Sequence, residues 1–349
     1  YGTTTLSDLE RQVAAWGSKL GLEVSSFQSN HEGAIIDRLH QAREDADGLV
    51  LNLGAFTHSS YALHDAIVAS ELPAVEIHIS NIMRREAWRR HSVTAPACLY
   101  AIYGRGVIGY RDALRILRTR ASSPVETIEY GDHQEQVIDV RSPVGPGPHP
   151  VAVFLHGGFW RSEWTRDTMD GLAADLAHRG WLTANVEYRR LDVGGGWPAS
   201  FEDVLTAIRL ARVQPNADPT RLTLIGHSAG SHLALLAAPE VDADTVVGLA
   251  SLTDLRSAHE SGVGDDSIAR FVGRSPTETY AALLSTKPHV SARTILVHGT
   301  ADHLVPVEQS RRFAAAHPAT LIELEDVGHF ELLDPARKPW RQVLEMLEQ

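Results

Sequence analysis

Gly226-His227-Ser228-Ala229-Gly230 sets a serine between two glycines, after the apolar strand pattern Leu222–Ile225 and before the apolar helical run His232–Ala238. Glycines at both flanks permit the tight strand-to-helix turn that lifts a hydroxyl above a sheet edge. A serine hydroxyl is a poor nucleophile until a neighbouring base takes its proton. His329, in Val327-Gly328-His329-Phe330, follows the last predicted strand and is the candidate base. Asp302, in Gly299-Thr300-Ala301-Asp302, follows the strand before it and is the candidate to orient the imidazole. Asp254 follows another strand and is the rival acid, in a poorer position. His156-Gly157-Gly158-Phe159-Trp160 also follows a strand, and its glycines let backbone N–H groups approach a developing oxyanion. Phe159 and Ala229 are the expected N–H donors, with Gly158 as the alternative. A five-residue serine motif alone is often accidental; four parts in the order donor loop, Ser, Asp, His specify acyl transfer through a covalent serine ester.

A second set of chemically competent residues lies in the first third of the chain. Val75-Glu76-Ile77-His78-Ile79-Ser80-Asn81 ends a strand pattern, and period-two alternation puts Glu76 and His78 on one face. Asn52-Leu53-Gly54-Ala55-Phe56-Thr57-His58-Ser59-Ser60 follows a shorter strand, so its polar groups fall at the carboxyl edge of a parallel sheet, where open α/β folds bind ligands. Arg84–His91 is cationic and predicted helical, suited to holding a carboxylate. From the residues alone this is an anion-binding site with a histidine acid/base.

The elements that must carry these groups alternate along the whole chain. In the first part the pattern predicts a helix opened by a Ser7-Asp8-Leu9-Glu10 capping box and running to Leu20, a strand Leu22–Phe27 and a helix Ala34–Glu44. A strand Gly48–Asn52, a helix Tyr61–Ala69, strands Ala74–Ile79 and Cys98–Tyr103 and a closing helix Val107–Arg118 follow. Arg120–Pro124 reads as a linker, dividing the chain into residues 1–120 and 121–349. Beyond it, Val125–Tyr130 and Gln136–Arg141 form an opening hairpin. The strands Val151–Leu155, Leu182–Val186, Leu222–Ile225, Val246–Ala250, Thr294–Val297 and Thr320–Leu324 then alternate with helices such as Thr168–Arg179 and Phe201–Val213. Both parts are therefore expected to be α/β with largely parallel sheets.

Composition bounds the partners. The 349 residues exceed one ordinary domain, and 43% hydrophobic with 22% charged residues is globular composition. A formal net charge of −12 with no Lys/Arg run argues against nucleic acid. No apolar run approaches the roughly 18 residues needed to span a bilayer, and no signal-peptide pattern appears. Cys98, the single cysteine, forms no intrachain disulfide and is expected to be a small buried hydrophobe. The histidines lack H-E-x-x-H or comparable spacing, so no metal site is expected, and neither chemistry requires a cofactor. A cytoplasmic enzyme acting on small molecules fits these bounds. Trp160, Trp164 and Trp197 either line an aromatic pocket or pack internally.

Residues 125–349 resemble the α/β-hydrolase superfamily, and the His-Gly-Gly-Phe-Trp loop resembles its kynurenine formamidase and carboxylesterase-like branch. That resemblance implies hydrolysis of a small ester or aryl formamide. Residues 1–118 resemble type II 3-dehydroquinate dehydratase, on Tyr1–Leu6, Gln28–Gly33, Asn52–Ser60, Glu76–Asn81 and Arg85–Ser92. This resemblance implies a flavodoxin-like fold, a trimer-based dodecamer, and anti elimination of water through an enolate. It implies Tyr1 as the base at C2, with Arg85 close to it, and His78 as the acid on the leaving hydroxyl, oriented by Glu76. It further implies substrate binding by Asn52, His58, Ile79, Ser80 and Arg89, with Asp65 reaching a neighbouring subunit's site. Leu53 and Phe56 replace the family's commoner Pro and Tyr. The family's opening strand, Asn-Gly-Pro-Asn segment and arginine-bearing loop have no counterpart before Tyr1, so a sheet truncated at its start is expected. Either the chain is a piece of a longer bifunctional enzyme, or the first part is a non-catalytic oligomerisation module on an active hydrolase.

Overall fold

The computed structural model describes residues 4–80, 82, 85–89, 91–121, 125–162, 164–273 and 292–348. The chain divides into two compact units, Tyr1–Ser122 and Ser123–Gln349.

In the first unit α1 (Leu6–Lys19) and α2 (Glu32–Asp45) precede β1 (Leu49–Leu51), α3 (Tyr61–Ser70), β2 (Ala74–His78), β3 (Tyr100–Tyr103) and α4 (Ile108–Ala121). Among the described residues the sheet has the order β1-β2-β3, parallel throughout, with Leu49 opposite Ala74 and His78 opposite Tyr103. Leu39, Leu49, Leu51, Leu63, Ile67 and Cys98 form the core between sheet and helices. All five residues of β2 are buried, Glu76 and His78 included, so the central strand carries two polar side chains into the interior.

Three local expectations are corrected. The capping box is Thr5 with Asp8, two residues earlier than Ser7 with Glu10, because the helix begins at Leu6. Leu22–Phe27 has no regular secondary structure and pairs with no described strand. Its Leu22 N–H returns to Gly17 O, and Val24 packs so closely on Gly17 that a Cβ there would lie 2.4 Å from Val24 Cγ2. A cavity of about 650 Å³ is lined by Phe27, Gln28 and Asn30 together with Leu49 and Leu51 of β1. Around Arg84–His91 only one 3-10 turn, Ala87–Arg89, forms among the described residues. Directly after it Ser92 and Thr94 hydrogen-bond Glu76, which ties the end of this segment to β2.

The second unit is built on an eight-stranded sheet. Its strands are β4 (Glu126–Glu129), β5 (Val137–Arg141), β6 (His149–Leu155), β7 (Leu182–Val186), β8 (Ala217–His227), β9 (Thr245–Leu249), β10 (Arg293–Gly299) and β11 (Thr320–Leu324). The order is β11-β10-β9-β8-β6-β7-β5-β4; the opening hairpin and the β5–β7 pair are antiparallel and the rest parallel. Helices α5 (Asp170–His178), α6 (Ala199–Arg212) and α7 (Ala229–Val241) make the crossovers. The shorter α8 (Leu255–Glu260) and α9 (Ser267–Val272) and then α10 (Glu308–Ala316) and α11 (Lys338–Leu347) follow. Val151 to Leu155 and Leu222 to Ile225 are essentially sealed from solvent, apart from Thr223 at 4%. Such continuous burial is what a parallel strand covered on both faces requires. No helix among the described residues is long and apolar enough to cross a membrane.

Candidate active sites

Ser228 sits between β8 and α7 with φ 52° and ψ −119°, a conformation that costs an L-residue about 1–3 kcal/mol. Glycines make the turn possible by close approach. A Cβ on Gly226 would lie 2.4 Å from Ser231 Cα, and one on Gly230 would lie 2.1 Å from Leu155 O. The Ser228 N–H is tied to Leu249 O at 2.8 Å, and its Oγ is buried with no hydrogen-bond partner among the described residues.

Asp302 and His329 are brought together from the loops after β10 and β11, with Asp302 Oδ2 accepting from His329 Nδ1 at 2.6 Å. Asp302 Oδ1 accepts the Leu304 and Val305 N–H groups, each at 2.9 Å, and the His298 ring lies 3.3 Å from Oδ2. Burial alone would raise the Asp302 carboxyl. The His329 ring, the hydrogen bonds from His298 and His329, and the Val305 N–H outweigh it and hold the group far below the usual carboxylate range. Asp254, the rival acid, instead caps α8 by accepting from Ser257 N at 2.9 Å. Asp302 and His329 are thus paired, while the buried Ser228 Oγ is left without a hydrogen-bond partner among the described residues.

His227 was not singled out by the sequence. Its ring lies 4.6 Å from that of His329, and its Nε2 donates to His329 O at 3.2 Å, linking the turn at Ser228 to His329. Burial pushes His227 well below the usual histidine range, with the His329 ring adding to it, so it stays neutral.

The loop after β6 turns through three consecutive left-handed residues, Gly158 at φ 96°, Phe159 at φ 50° and Trp160 at φ 58°. A Cβ on Gly157 would be 2.9 Å from both His227 Nδ1 and Ser228 Cβ, so this loop touches the elbow directly. Ala229 is the first residue of α7, whose opening N–H groups have no intrahelical acceptor. Trp160 is fully buried and stacks on Phe271 at 3.9 Å, and Trp197 stacks on Phe201; both belong to packing. Only Trp164, half-buried and stacked on Phe330 at 5.3 Å, borders the site beside His329.

In the first unit the two ends of β2 and β3 assemble a second carboxylate–histidine pair. Glu76 Oε1 accepts from His78 Nε2 at 2.6 Å and from Ser92 Oγ at 2.8 Å, and Thr94 donates to its other oxygen. The His78 ring stacks with Tyr103 at 5.3 Å and with His58 at 6.3 Å, and His58 Nδ1 donates to His91 O at 2.7 Å. Burial, with Glu76 adding to it, pushes the Tyr103 phenol well up, so it stays protonated. Tyr103, Ser92 and Thr94 were missed by sequence reasoning. The signal for Tyr103 was its parallel register with His78, which period-two alternation carries to the same sheet edge.

The other expected residues are spread around this pair. Asn52 donates to Tyr110 OH at 2.8 Å, and Ile79 O accepts from Gly106 N. Ser80 is half-buried beside it in sequence. Arg85 and Arg89 both reach Glu86 at 3.3 Å, and the Arg89 guanidinium lies over Trp88. Asp65 is exposed on α3, against its neighbour His64, and is not brought to the pair within one chain. Tyr1 lies outside the described residues. No group of three or more His, Cys, Asp or Glu that could hold a metal occurs among the described residues.

Comparison with known proteins gives two matches along the chain. The family model Dehydroquinase class II matches residues 1–118, and the model BD-FAE matches residues 138–316. The 3-dehydroquinate dehydratase of Bacillus pumilus is 51% identical over 117 residues, covering 34% of this chain and 80% of the relative. That of Thermotoga maritima is 54% identical over 120 residues, covering 34% and 82%. The acetyl ester-xyloside bifunctional hydrolase from Caldicellulosiruptor lactoaceticus is 23% identical with a TM-score of 0.53, covering 64% of this chain and 94% of that one. The Est2 esterase of Thermogutta terrifontis is 24% identical with a TM-score of 0.52, covering 64% and 90%. At these identities the two structures speak for the fold of the second unit. The chain therefore belongs to two families at once, class II dehydroquinase in its first unit and the BD-FAE α/β-hydrolases in its second.

Proposed function

We propose that this is a bifunctional enzyme, a 3-dehydroquinate dehydratase joined to a serine hydrolase of small esters or aryl formamides. One observation carries the reading: each unit holds a buried carboxylate–histidine pair at 2.6 Å, Glu76–His78 in one and Asp302–His329 in the other. In the hydrolase, His329 takes the Ser228 proton as Oγ attacks the carbonyl, and the oxyanion is received by Phe159 and Ala229 N–H, or Gly158 N–H in place of Phe159. His329 then protonates the leaving group, and water repeats the cycle on the acyl-enzyme. In the dehydratase, Tyr1 removes the C2 proton with Arg85 nearby, and His78, held by Glu76, protonates the departing hydroxyl to release water. Asn52, His58, Ile79, Ser80 and Arg89 bind the substrate, and the boundary near residue 121 separates the two activities.

We further propose a trimer-based homo-oligomer in the cytoplasm. The exposed Tyr61 and Val68, on the α3 face that carries Asp65, support a subunit contact there. The fusion would suit release of a quinate-type acid from an ester followed by dehydration; a hydrolase with no preference for quinate-type over simple aryl esters would remove that link.

The test pairs two assays on the full chain. Dehydroquinate dehydration is followed by the enone absorbance of dehydroshikimate, and p-nitrophenyl acetate hydrolysis by the released phenolate. His78→Ala is expected to lose only the first and Ser228→Ala only the second. A Ser228-dependent esterase with no dehydration would leave the first unit as an oligomerisation module.

A further inference from the structure

Beneath the Gly158–Trp160 loop lies a segment that neither chemistry has used, Glu187-Tyr188-Arg189-Arg190-Leu191, directly after β7. It holds the loop at point after point. Tyr188 OH donates to His156 O at 2.8 Å, and its ring stacks on the His156 ring at 4.4 Å and 9°. Leu191 N donates to Trp160 O at 2.8 Å, and Arg190 donates to Ser162 O at 2.8 Å and to Trp164 O. Glu187 Oε2 accepts from Arg166 N at 2.9 Å, at the loop's far end.

His156 is the first residue of this loop and is wholly buried. Its Nδ1 faces Gly157 O at 2.8 Å and its Nε2 faces Glu187 Oε1 at 2.8 Å. A carbonyl only accepts, and Glu187 also accepts while it is ionised, which its contacts with Arg166 and Arg190 favour; both ring nitrogens then donate, and a ring with two N–H groups is an imidazolium. The surrounding charges agree. Glu187, Asp139 and Glu135 face Arg166 and Arg190, through the Arg166–Asp139, Arg166–Glu187, Arg190–Glu135 and Arg190–Glu187 contacts. Asp167 adds a fourth carboxylate beside Arg166, and a cation at His156 reduces the excess of negative charge to one. A buried cluster left with an excess charge is costly, and a cation under a loop that receives an oxyanion favours the charge that develops there.

We propose that Glu187 is a positioning residue of the hydrolase, holding His156 as an imidazolium that fixes and polarises the oxyanion loop. The inference rests on the hydrolase reading above. Glu187 touches no reacting atom; it acts through His156 on the geometry and field of the Phe159 N–H.

The test uses the full chain with ¹⁵N-labelled histidine and p-nitrophenyl acetate. In the wild type both His156 ring nitrogens, assigned through contact with the Tyr188 ring, are expected to carry protons at pH 7. Glu187→Gln is expected to lower kcat about 10- to 100-fold with KM within about twofold, as for loss of other outer-shell partners. Glu187→Asp, which keeps the carboxylate, is expected to recover most of the rate. A neutral His156 ring, or a folded Glu187→Gln with kcat within about twofold of wild type, overturns the proposal. If Glu187→Gln does not fold, the ring protonation of the wild type decides alone. A wild type without Ser228-dependent esterase activity defeats the hydrolase reading itself, and the ring measurement separates the two failures.

Discussion

Replacing Asp302 by asparagine tests the hydrolase geometry more sharply than deleting the serine. Asp302 Oδ1 accepts from Leu304 and Val305 N–H, so an asparagine keeps its carbonyl oxygen there and turns its amide nitrogen toward His329. A donor would then meet the His329 Nδ1–H, and the imidazole must adopt the other tautomer, with its proton on the nitrogen that should receive the serine's. The electrostatic loss can be sized. Opposite unit charges at the observed 2.6 Å attract by about 6 kcal/mol at an effective dielectric of 20. A neutral hydrogen bond retained by the amide returns about 1 kcal/mol. The remaining loss of about 5 kcal/mol of imidazolium stabilisation corresponds to between three and four decades in kcat. The assay is p-nitrophenyl acetate turnover with thermal unfolding measured on the same sample, and KM is expected to change little. Asp254→Asn is the matched control, because asparagine caps a helix about as well as aspartate and α8 should survive. A folded Asp302→Asn losing less than about tenfold in kcat, or Asp254→Asn losing more, would refute the assignment.

Three further outcomes follow from particular contacts. Gly157→Ala puts a Cβ 2.9 Å from Ser228 Cβ and His227 Nδ1, so the oxyanion loop must back away from the nucleophile. We expect kcat to fall by roughly 100-fold, the effect of about an ångström of misplacement; an unchanged kcat would mean that the loop does not serve Ser228. Glu76→Gln leaves His78, Ser92 and Thr94 sharing an amide where a carboxylate accepted from all three. Dehydration is expected to drop about 10- to 100-fold with esterase activity intact, and equal loss of both activities would point to misfolding instead. Burial pushes His232 down to about 4 from its ordinary 6.5, so the unfolded chain takes up this proton first as pH falls. Its contribution to stability is complete above pH 6.5 and declines by about 3 kcal/mol on the way to pH 4. Urea midpoints between pH 4 and 7 should therefore show a shallower acid slope in His232→Gln, and an identical slope would contradict the burial argument.

What the sequence determined by itself was the chemistry carried by local pattern. The glycines at 226 and 230 report a turn that only they can make, and the observed 2.4 and 2.1 Å clearances are the reason. Glu76 and His78 two residues apart on a strand must share a face, and their 2.6 Å hydrogen bond follows from that period. Compact apolar runs located the hydrolase strands because burial on both faces leaves no other composition. Only the tertiary structure decided what depends on distant partners. Leu22–Phe27 has strand composition, yet a strand exists only through a ladder, and none of the described strands pairs with this segment. Asp254 and Asp302 both follow strands, and the choice between them came from which loop reaches His329. Trp160 and Trp164 are four residues apart and similar in sequence context, but one stacks inside the core and the other stands beside the base. Tyr103 in the first unit, and His227 and Glu187 in the second, come to their surroundings through the folding of separate strands and loops onto the edge of each sheet. Nothing local marks such residues, because the contact that gives each its role is made only when the chain closes.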